Sequence, residues 1–385
     1  MRTGLAWLRA ELDDLAGQGL LRHRRLLESA QGVRVQLDGR DLLSFSSNDY
    51  LGMANHPDLV AAVVQALPQA GVGAGASHLL TGHHRAHQHF EVQFAEFVRL
   101  PAALLFSTGY MANLAVVTAL VGRNGEVFAD KLNHASLNDA ALLSRAKFSR
   151  FAHNDLAELA RLLQASRAVH KIVAVDAVFS MDGDLADLPG LLALCAAHDA
   201  WLLVDDAHGF GILGGGRGAL AHFGIRSPRL IYLATLGKAA GVFGAAVAAE
   251  SEVIDWLLQK ARTYIYTTAS PPILSAALSA SLAVIAAADD RRQQLQSLIA
   301  QLRTGLQTQG WRLADSAMPI QPVLIGSNAA TLAISAELLA QGILVPAIRP
   351  PTVPVDTARL RISLSSAHSA ADVTQLLTAM AKLGA

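Results

Sequence analysis

Lys238 follows an apolar run, Arg229 to Thr235, as the last residue of Thr235-Leu236-Gly237-Lys238. An ammonium at the end of a buried strand, with a glycine before it and small apolar residues after it, loses hydration and its pKa falls. The neutral amine can then form a Schiff base with a carbonyl compound. Most lysines are simply solvated in loops, and it is the Thr-x-Gly-Lys context that narrows the choice here. Asp205-Asp206-Ala207-His208 lies 33 residues upstream, at the end of a second apolar run from Leu202. One βαβ unit spans roughly 30 residues, so carboxylate, imidazole and amine come to one edge of a parallel sheet, where ligands bind in such folds. Alone, Asp205 reads as a helix N-cap. With His208 three residues on, the pair also suits a heteroaromatic N–H and a phenolic oxygen. Asn133-His134 marks a third polar strand end, after a run beginning at Glu126.

The elements that would hold these residues alternate along the chain. Strands are expected at Ala103 to Ser107, Glu126 to Ala129, Lys171 to Val175, Leu202 to Asp205, Arg229 to Thr235 and Gly244 to Ala248. Helices are expected between them at Met111 to Val121, Leu156 to Ala165, Leu188 to Asp199 and Val253 to Arg262. This is the pattern of an α/β fold with a mostly parallel central sheet. From Asp289 the texture becomes charged and helical, with strands near Gln321 to Ile325 and Arg359 to Leu364, as in a smaller α+β domain. The expected division is an N-terminal helical segment over 1–45, a large α/β domain over 46–288 and a small domain over 289–385. The three prolines between Ala347 and Asp356 demand an irregular loop.

Composition bounds the function. Of the 385 residues 52% are hydrophobic and 16% charged, so the chain folds rather than remaining disordered. Thirty-one basic residues balance 31 acidic ones, giving no global field for nucleic acid or an anionic membrane. A single cysteine makes no internal disulfide, and the acidic N-terminus does not resemble a signal peptide, so a cytoplasmic protein is expected. The longest apolar run, Ile273 to Ala288, falls short of the roughly 20 residues of a membrane span and reads as a buried helix.

Together with further motifs, these strand ends resemble the α-oxoamine synthases, a family of fold-type I enzymes that use pyridoxal 5′-phosphate (PLP). The matching stretches are Asn48-Asp49-Tyr50-Leu51-Gly52, Thr108-Gly109-Tyr110-Met111-Ala112-Asn113, Asn133-His134-Ala135-Ser136, Phe179-Ser180-Met181-Asp182-Gly183, Asp205-Asp206-Ala207-His208-Gly209, Thr235-Leu236-Gly237-Lys238 and Leu360-Arg361-Ile362-Ser363. They run in family order along nearly the whole chain. The resemblance implies an aspartate aminotransferase-like fold. It implies that Lys238 holds the cofactor and carries the substrate's Cα proton, Asp205 pairs with the pyridine nitrogen and His134 stacks on the ring. Ser180 and His208 would contact the ring oxygen, while Gly109, Tyr110 and Thr235 bind the phosphate. Thr267 and Thr268 would reach the phosphate of a neighbouring subunit, hence a homodimer. Asn48 and Arg361 resemble groups that grip an amino-acid carboxylate. Arg22, Arg349 and Thr352 resemble acyl-donor contacts of those members that condense L-alanine with a pimeloyl thioester, either pimeloyl-CoA or pimeloyl-acyl carrier protein.

Other signals point elsewhere. Gly209-x-Gly211-x-x-Gly214 matches a dinucleotide fingerprint, but no acidic residue follows about 20 residues on to hold a ribose. His83, His87 and Glu91 fall at i, i+4 and i+8, a spacing that suits zinc on one helical face; no metal is expected. Cys195 reads as a buried packing residue. Within the family the rival substrates are glycine and acetyl-CoA. Outside it, a metallohydrolase using Asp205, Asp206, His208 and His134, or a non-catalytic binding module, are the competing classes.

Overall fold

The computed structural model describes residues 4–384. Among these, a seven-stranded sheet is built from β3 (Ala102–Phe106), β4 (Gly125–Asp130), β5 (Lys147–Phe151), β6 (His170–Asp176), β7 (Trp201–Asp205), β8 (Leu230–Thr235) and β9 (Ala245–Ala249), in the spatial order β3-β9-β8-β7-β6-β4-β5. β9 runs antiparallel to both of its neighbours and the other pairs are parallel. The inner strands are mostly apolar because both faces are covered. Val173, Val175, Leu202 and Val204 enter one core, while Ile172, Ala174 and Leu203 enter the other, so side chains of period two fill two buried layers. The helix Pro272–Ala286 buries Leu278, Leu282 and Ile285. No single helix among the described residues is long and apolar enough to cross a membrane.

The expected strands and helices of this sheet are present, with ends displaced by a residue or two. β5 is an addition: its sequence KFSRF is too charged and too short to stand out, and it occupies the sheet edge, where such residues are tolerated.

The remaining strands form two three-stranded sheets. One contains β1 (Arg34–Leu37), β2 (Arg40–Ser44) and β11 (Ile343–Leu344); the other has the order β10 (Ile320–Gly326), β13 (Ala358–Ser363), β12 (Ala347–Ile348). β1 and β2 are joined by Asp38-Gly39, both at positive φ, as a two-residue hairpin of primed type requires. Because β2 pairs with β11, residues 34–44 lie in a sheet with a strand from the C-terminal part of the chain. β12 is a correction to the wholly irregular loop expected over 347–356: two residues before the prolines still pair with β13. The N-terminal helix Gly4–Gly17 buries none of its side chains in this chain.

Three strands of the large sheet end in a carboxylate, Asp130, Asp176 and Asp205, and β8 ends at Thr235. The segment from Phe45 to Ala54 crosses over this edge. It is tied to the C-terminal part by Arg291 to the Leu51 carbonyl (2.8 Å) and Ser365 to the Asp49 carbonyl (2.6 Å).

Candidate active site

Lys238 sits in the bend that follows β8, and its Nζ lies 3.1 Å from Nε2 of the buried His208. Asp205, at the tip of β7, is also buried. Its Oδ1 accepts the Ala207 N–H at 3.1 Å and its Oδ2 accepts Nδ2 of Asn113 at 2.7 Å. Both groups line one cavity with Gly109, Tyr110, His134 and Asp176. The convergence read from strand spacing is therefore present.

Gly109 and Tyr110 open the helix Gly109–Leu120, whose N-cap Thr108 accepts the Met111 N–H at 3.1 Å. The first-turn N–H groups of Gly109 and Tyr110 have no protein acceptor among the described residues, so the helix end offers donors and a positive dipole to an anion. Thr235 closes the other side. A Cβ on residue 109 would come within 2.5 Å of the Thr235 methyl, so the cradle is shaped for glycine.

His134 caps the helix Ala135–Ser144. Its Nδ1 accepts the Ser136 N–H at 3.3 Å and lies 2.8 Å from the Ser136 hydroxyl. Asn113 Nδ2 donates to that hydroxyl oxygen at 2.9 Å, leaving the hydroxyl proton for Nδ1. Nδ1 is thus an acceptor, and His134 is assigned as the neutral Nε2–H tautomer. Desolvation keeps it so by lowering its pKa.

Burial also pushes the Lys238 amine down, to about 8, with Asp205 and Asp176 pulling upward and Arg361 assisting the fall. Burial and the adjacent Asp205 raise Asp176 well above the usual carboxylate range, favouring its neutral acid form. His208 is held well below the ordinary imidazole value by burial and by the Lys238 charge. The site therefore holds one carboxylic acid and two neutral imidazoles around an amine poised near neutral pH.

At one end stands Arg361, buried on β13. Nε donates to the Ser180 carbonyl at 2.7 Å, and Nη1 and Nη2 both reach Asn48 Oδ1 at 3.2 Å. Ser180 and His134 are shared with a wider cavity of about 590 Å³ lined also by Lys131, Arg150, Met181 and Thr352. Arg349, three residues before Thr352, is outside the lining and donates to the Gly19 carbonyl. Arg22 is exposed in the segment before β1 and lines neither cavity. Thr267 and Thr268 follow the short helix Arg262–Ile265 and also lie outside both linings.

Compared with known proteins, residues 40–380 match the family model of aminotransferase class I and II. The chain is 60% identical over 384 residues to an 8-amino-7-oxononanoate synthase of Thiobacillus denitrificans, covering 100% of this chain and 98% of the relative. The chain belongs to the 8-amino-7-oxononanoate synthase family. Its fold superposes on a crystal structure of 8-amino-7-oxononanoate synthase from Francisella tularensis with a TM-score of 0.77 and 32% identity, over 89% of this chain and 97% of that one. The high-resolution structure of SPT with its PLP internal aldimine gives a TM-score of 0.93 at 29% identity, over 99% and 98%.

In this 8-amino-7-oxononanoate synthase family member, sequence reasoning did not single out Asp176, which lines the cavity, nor Asn113 and Tyr50, which hold its lining residues. Asp176 ends an apolar strand as Asp205 does, so the same rule could have found it. Asn113 and Tyr50 stood within recognised motifs without a role. The histidine cluster is real but different from its sequence reading. The helix starts at Arg85, so His83 lies before it, and its neighbour is His78, with Nδ1 to Nδ1 at 3.0 Å. Both ring nitrogens of His87 are engaged by backbone, accepting from His84 N–H at 2.9 Å and donating to the Ser270 carbonyl at 2.8 Å. Through His87 the cluster braces the loop at Ser270.

Proposed function

We propose that the cavity around Lys238 carries out the reaction of the family: condensation of L-alanine with a pimeloyl thioester to give 8-amino-7-oxononanoate, CO2 and the released thiol carrier. The enzyme is a PLP-dependent acyltransferase of biotin biosynthesis. The observation that carries the residue assignment is a single cavity offering a desolvated amine, a doubly braced carboxylate and a helix N-terminus, with a buried guanidinium beside it.

These residues fit PLP. Gly109 and Tyr110 have donors for a phosphate, with the Thr235 hydroxyl beside them, and the absent Cβ at Gly109 leaves the cradle open. Lys238 would hold the cofactor covalently, and Asp205 would keep a proton on its ring nitrogen. His134 would face the ring, and His208 and Ser180 would hold its phenolic oxygen. Bound there, PLP supplies a conjugated ring that accepts the electron pair left when a proton or CO2 departs from the amino acid.

The chain's own groups supply the rest. Arg361 holds the alanine carboxylate, and Asn48, accepting from both Nη atoms, fixes the plane of the guanidinium fork. Lys238 Nζ, with a pKa near 8, takes the α-proton and later returns one. The Nε2–H of His134 donates into the cavity as charge shifts on the substrate. The wider cavity admits the acyl chain past Thr352, with Arg22 and Arg349 assigned to its distal carboxylate.

A homodimer is part of the proposal. Leu79, Leu80, Phe243 and Tyr266 are exposed large apolar side chains that a partner subunit would cover, and Thr267 and Thr268, which follow Tyr266 directly, would then reach the partner's phosphate. A cytoplasmic setting and the division at residues 45 and 288 belong to the same reading.

The test is to incubate the protein with each pairing of alanine, glycine or serine with acetyl, pimeloyl or palmitoyl thioester, on CoA and on acyl carrier protein, and to identify products by mass. Alanine with the pimeloyl thioester should dominate. Turnover confined to glycine and acetyl-CoA would overturn the substrate assignment.

A further inference from the structure

We infer that Tyr50 is a positioning residue: its hydroxyl decides which ring nitrogen of His208 carries the proton, and so links the state of the Lys238 amine to the Asn48–Arg361 pair. The inference deepens the reading of the Lys238 cavity given above and rests on it only for the relevance to catalysis.

Tyr50 is fully buried. Its hydroxyl oxygen lies 2.7 Å from His208 Nδ1 and 3.1 Å from Asn48 Oδ1, and His208 Nε2 lies 3.1 Å from Lys238 Nζ. With Arg361 on the far side of Asn48, a continuous chain of polar groups runs from guanidinium to amine.

One hydroxyl proton cannot serve both neighbours, which leaves two arrangements. In the first, Tyr50 donates to Asn48, His208 donates from Nδ1 to the Tyr50 oxygen, and bare Nε2 accepts an N–H of Lys238. In the second, Tyr50 donates to Nδ1 and the proton sits on Nε2, pointing at Lys238. The second needs a lone pair on Nζ, so an ammonium excludes it and a neutral amine permits it.

Charge does not travel along the chain. Burial lowers the basicity of His208 and raises the pKa of the Tyr50 hydroxyl, so both stay neutral while tautomers exchange. The charged and titratable groups facing Lys238 are Asp205, Asp176, Arg361, His134 and His208; those facing His208 are Lys238, Arg361 and His134; and Arg361 faces Tyr50. Removing the Tyr50 oxygen leaves each of these side chains in place and deletes only the contacts of the hydroxyl itself, with His208, Asn48 and Arg361.

Tyr50→Phe keeps the ring and deletes that oxygen. A buried imidazole N–H at Nδ1 would then lack an acceptor, so His208 moves its proton to Nε2, which opposes an ammonium at Lys238. The amine should lose its proton more readily. Loss of one neutral hydrogen bond corresponds to a downward shift of about half a unit to one unit in the Lys238 midpoint.

The measurement is competitive acetylation of the full chain after cofactor removal, from pH 6 to 10, read at Lys238 by peptide mass spectrometry in wild type and Tyr50→Phe. An equal or higher midpoint in the variant overturns the inference. Independently of any variant at position 50, ¹⁵N-histidine spectra of wild type, assigned with His208→Gln, should show the His208 proton on Nδ1 below the Lys238 midpoint and gaining Nε2 character above it. One unchanging tautomer across that range also overturns it, even if Tyr50→Phe does not fold. Neither readout uses substrate, so failure here is distinct from failure of the alanine and pimeloyl assignment.

Discussion

Asn113 donates from Nδ2 to Asp205 at 2.7 Å, and the same nitrogen reaches Ser136 Oγ at 2.9 Å, joining the carboxylate at the tip of β7 to the residue that fixes the His134 tautomer. One amide thus orients two groups of the cavity lining. In Asn113→Ala, Asp205 keeps only the Ala207 N–H, and the Ser136 hydroxyl is no longer directed at His134. A hydrogen bond to a charged group contributes about 1.5–3 kcal/mol, so exchange of the alanine α-proton into deuterated solvent, without acyl donor, should slow by roughly ten- to a hundredfold. Wild-type exchange in the variant would remove Asn113 from the proposed machinery.

The two arginines assigned to carboxylates differ in burial, which separates their expected effects. Arg361 is buried and makes bonds to Ser180, Asn48 and Ser363, so Arg361→Ala both deletes the fork and strands its acceptors. Alanine binding should weaken by about ten- to a hundredfold, seen spectroscopically without any thioester. Arg22 is exposed. Arg22→Ala should leave alanine binding unchanged and raise KM for a pimeloyl thioester by less than about tenfold, with no change for its methyl ester. Equal effects on acid and ester donors would reject recognition of the distal carboxylate by Arg22.

Much of this site was legible because its chemistry stands at strand ends. Apolar runs ending in Asp205, Thr235 and Asn133-His134 announce both the sheet and the edge where ligands bind. What the sequence concealed depends on contacts across the fold. Asn113 sits inside a helix, where one polar residue gives no sign that it meets Asp205, 92 residues away. His153 lies beyond an edge strand too short and charged to be recognised. The hairpin over residues 34–44 did carry a signal, Asp38-Gly39, but its pairing with Ile343–Leu344 spans almost the whole chain and no local pattern encodes it.

His153 should make stability fall in alkali. Its Nε2 lies 2.7 Å from Asp184, its Nδ1 3.2 Å from both oxygens of Asp130, and its ring meets Phe179 edge-on. Burial opposes the charged form, but the two carboxylates prevail and raise the imidazole to about 10. A folded pKa above the unfolded value of about 6.5 means that the pair's contribution is complete below pH 6.5 and disappears as pH rises toward 10. The stability difference between wild type and His153→Asn, measured by urea unfolding, should therefore shrink steadily between pH 6.5 and 10. A gap that widens with pH would refute the ion-pair account. The Phe179–Asp184 turn also carries Ser180, so the variant should bind PLP less tightly at the pH values where the wild-type imidazole is charged.

The proposed phosphate cradle offers a test by suppression. Gly109 must lack a side chain because a Cβ there would come within 2.5 Å of the Thr235 methyl, whereas the next nearest atoms lie at 3.8 Å and beyond. The conflict is thus with one methyl group. Gly109→Ala should push the first turn of its helix away from β8, misdirect the two N–H groups offered to phosphate and weaken PLP binding by on the order of tenfold to a hundredfold. Thr235→Ser removes that methyl while keeping the hydroxyl, so alone it should change binding little. Combined with Gly109→Ala it should recover most of the loss, a coupling expected of two residues in direct contact. Equilibrium titration of the cofactor-free chain with PLP, for wild type, both single variants and the double variant, closes the cycle. Strictly additive losses would show that steric conflict with Thr235 is not what requires glycine at position 109.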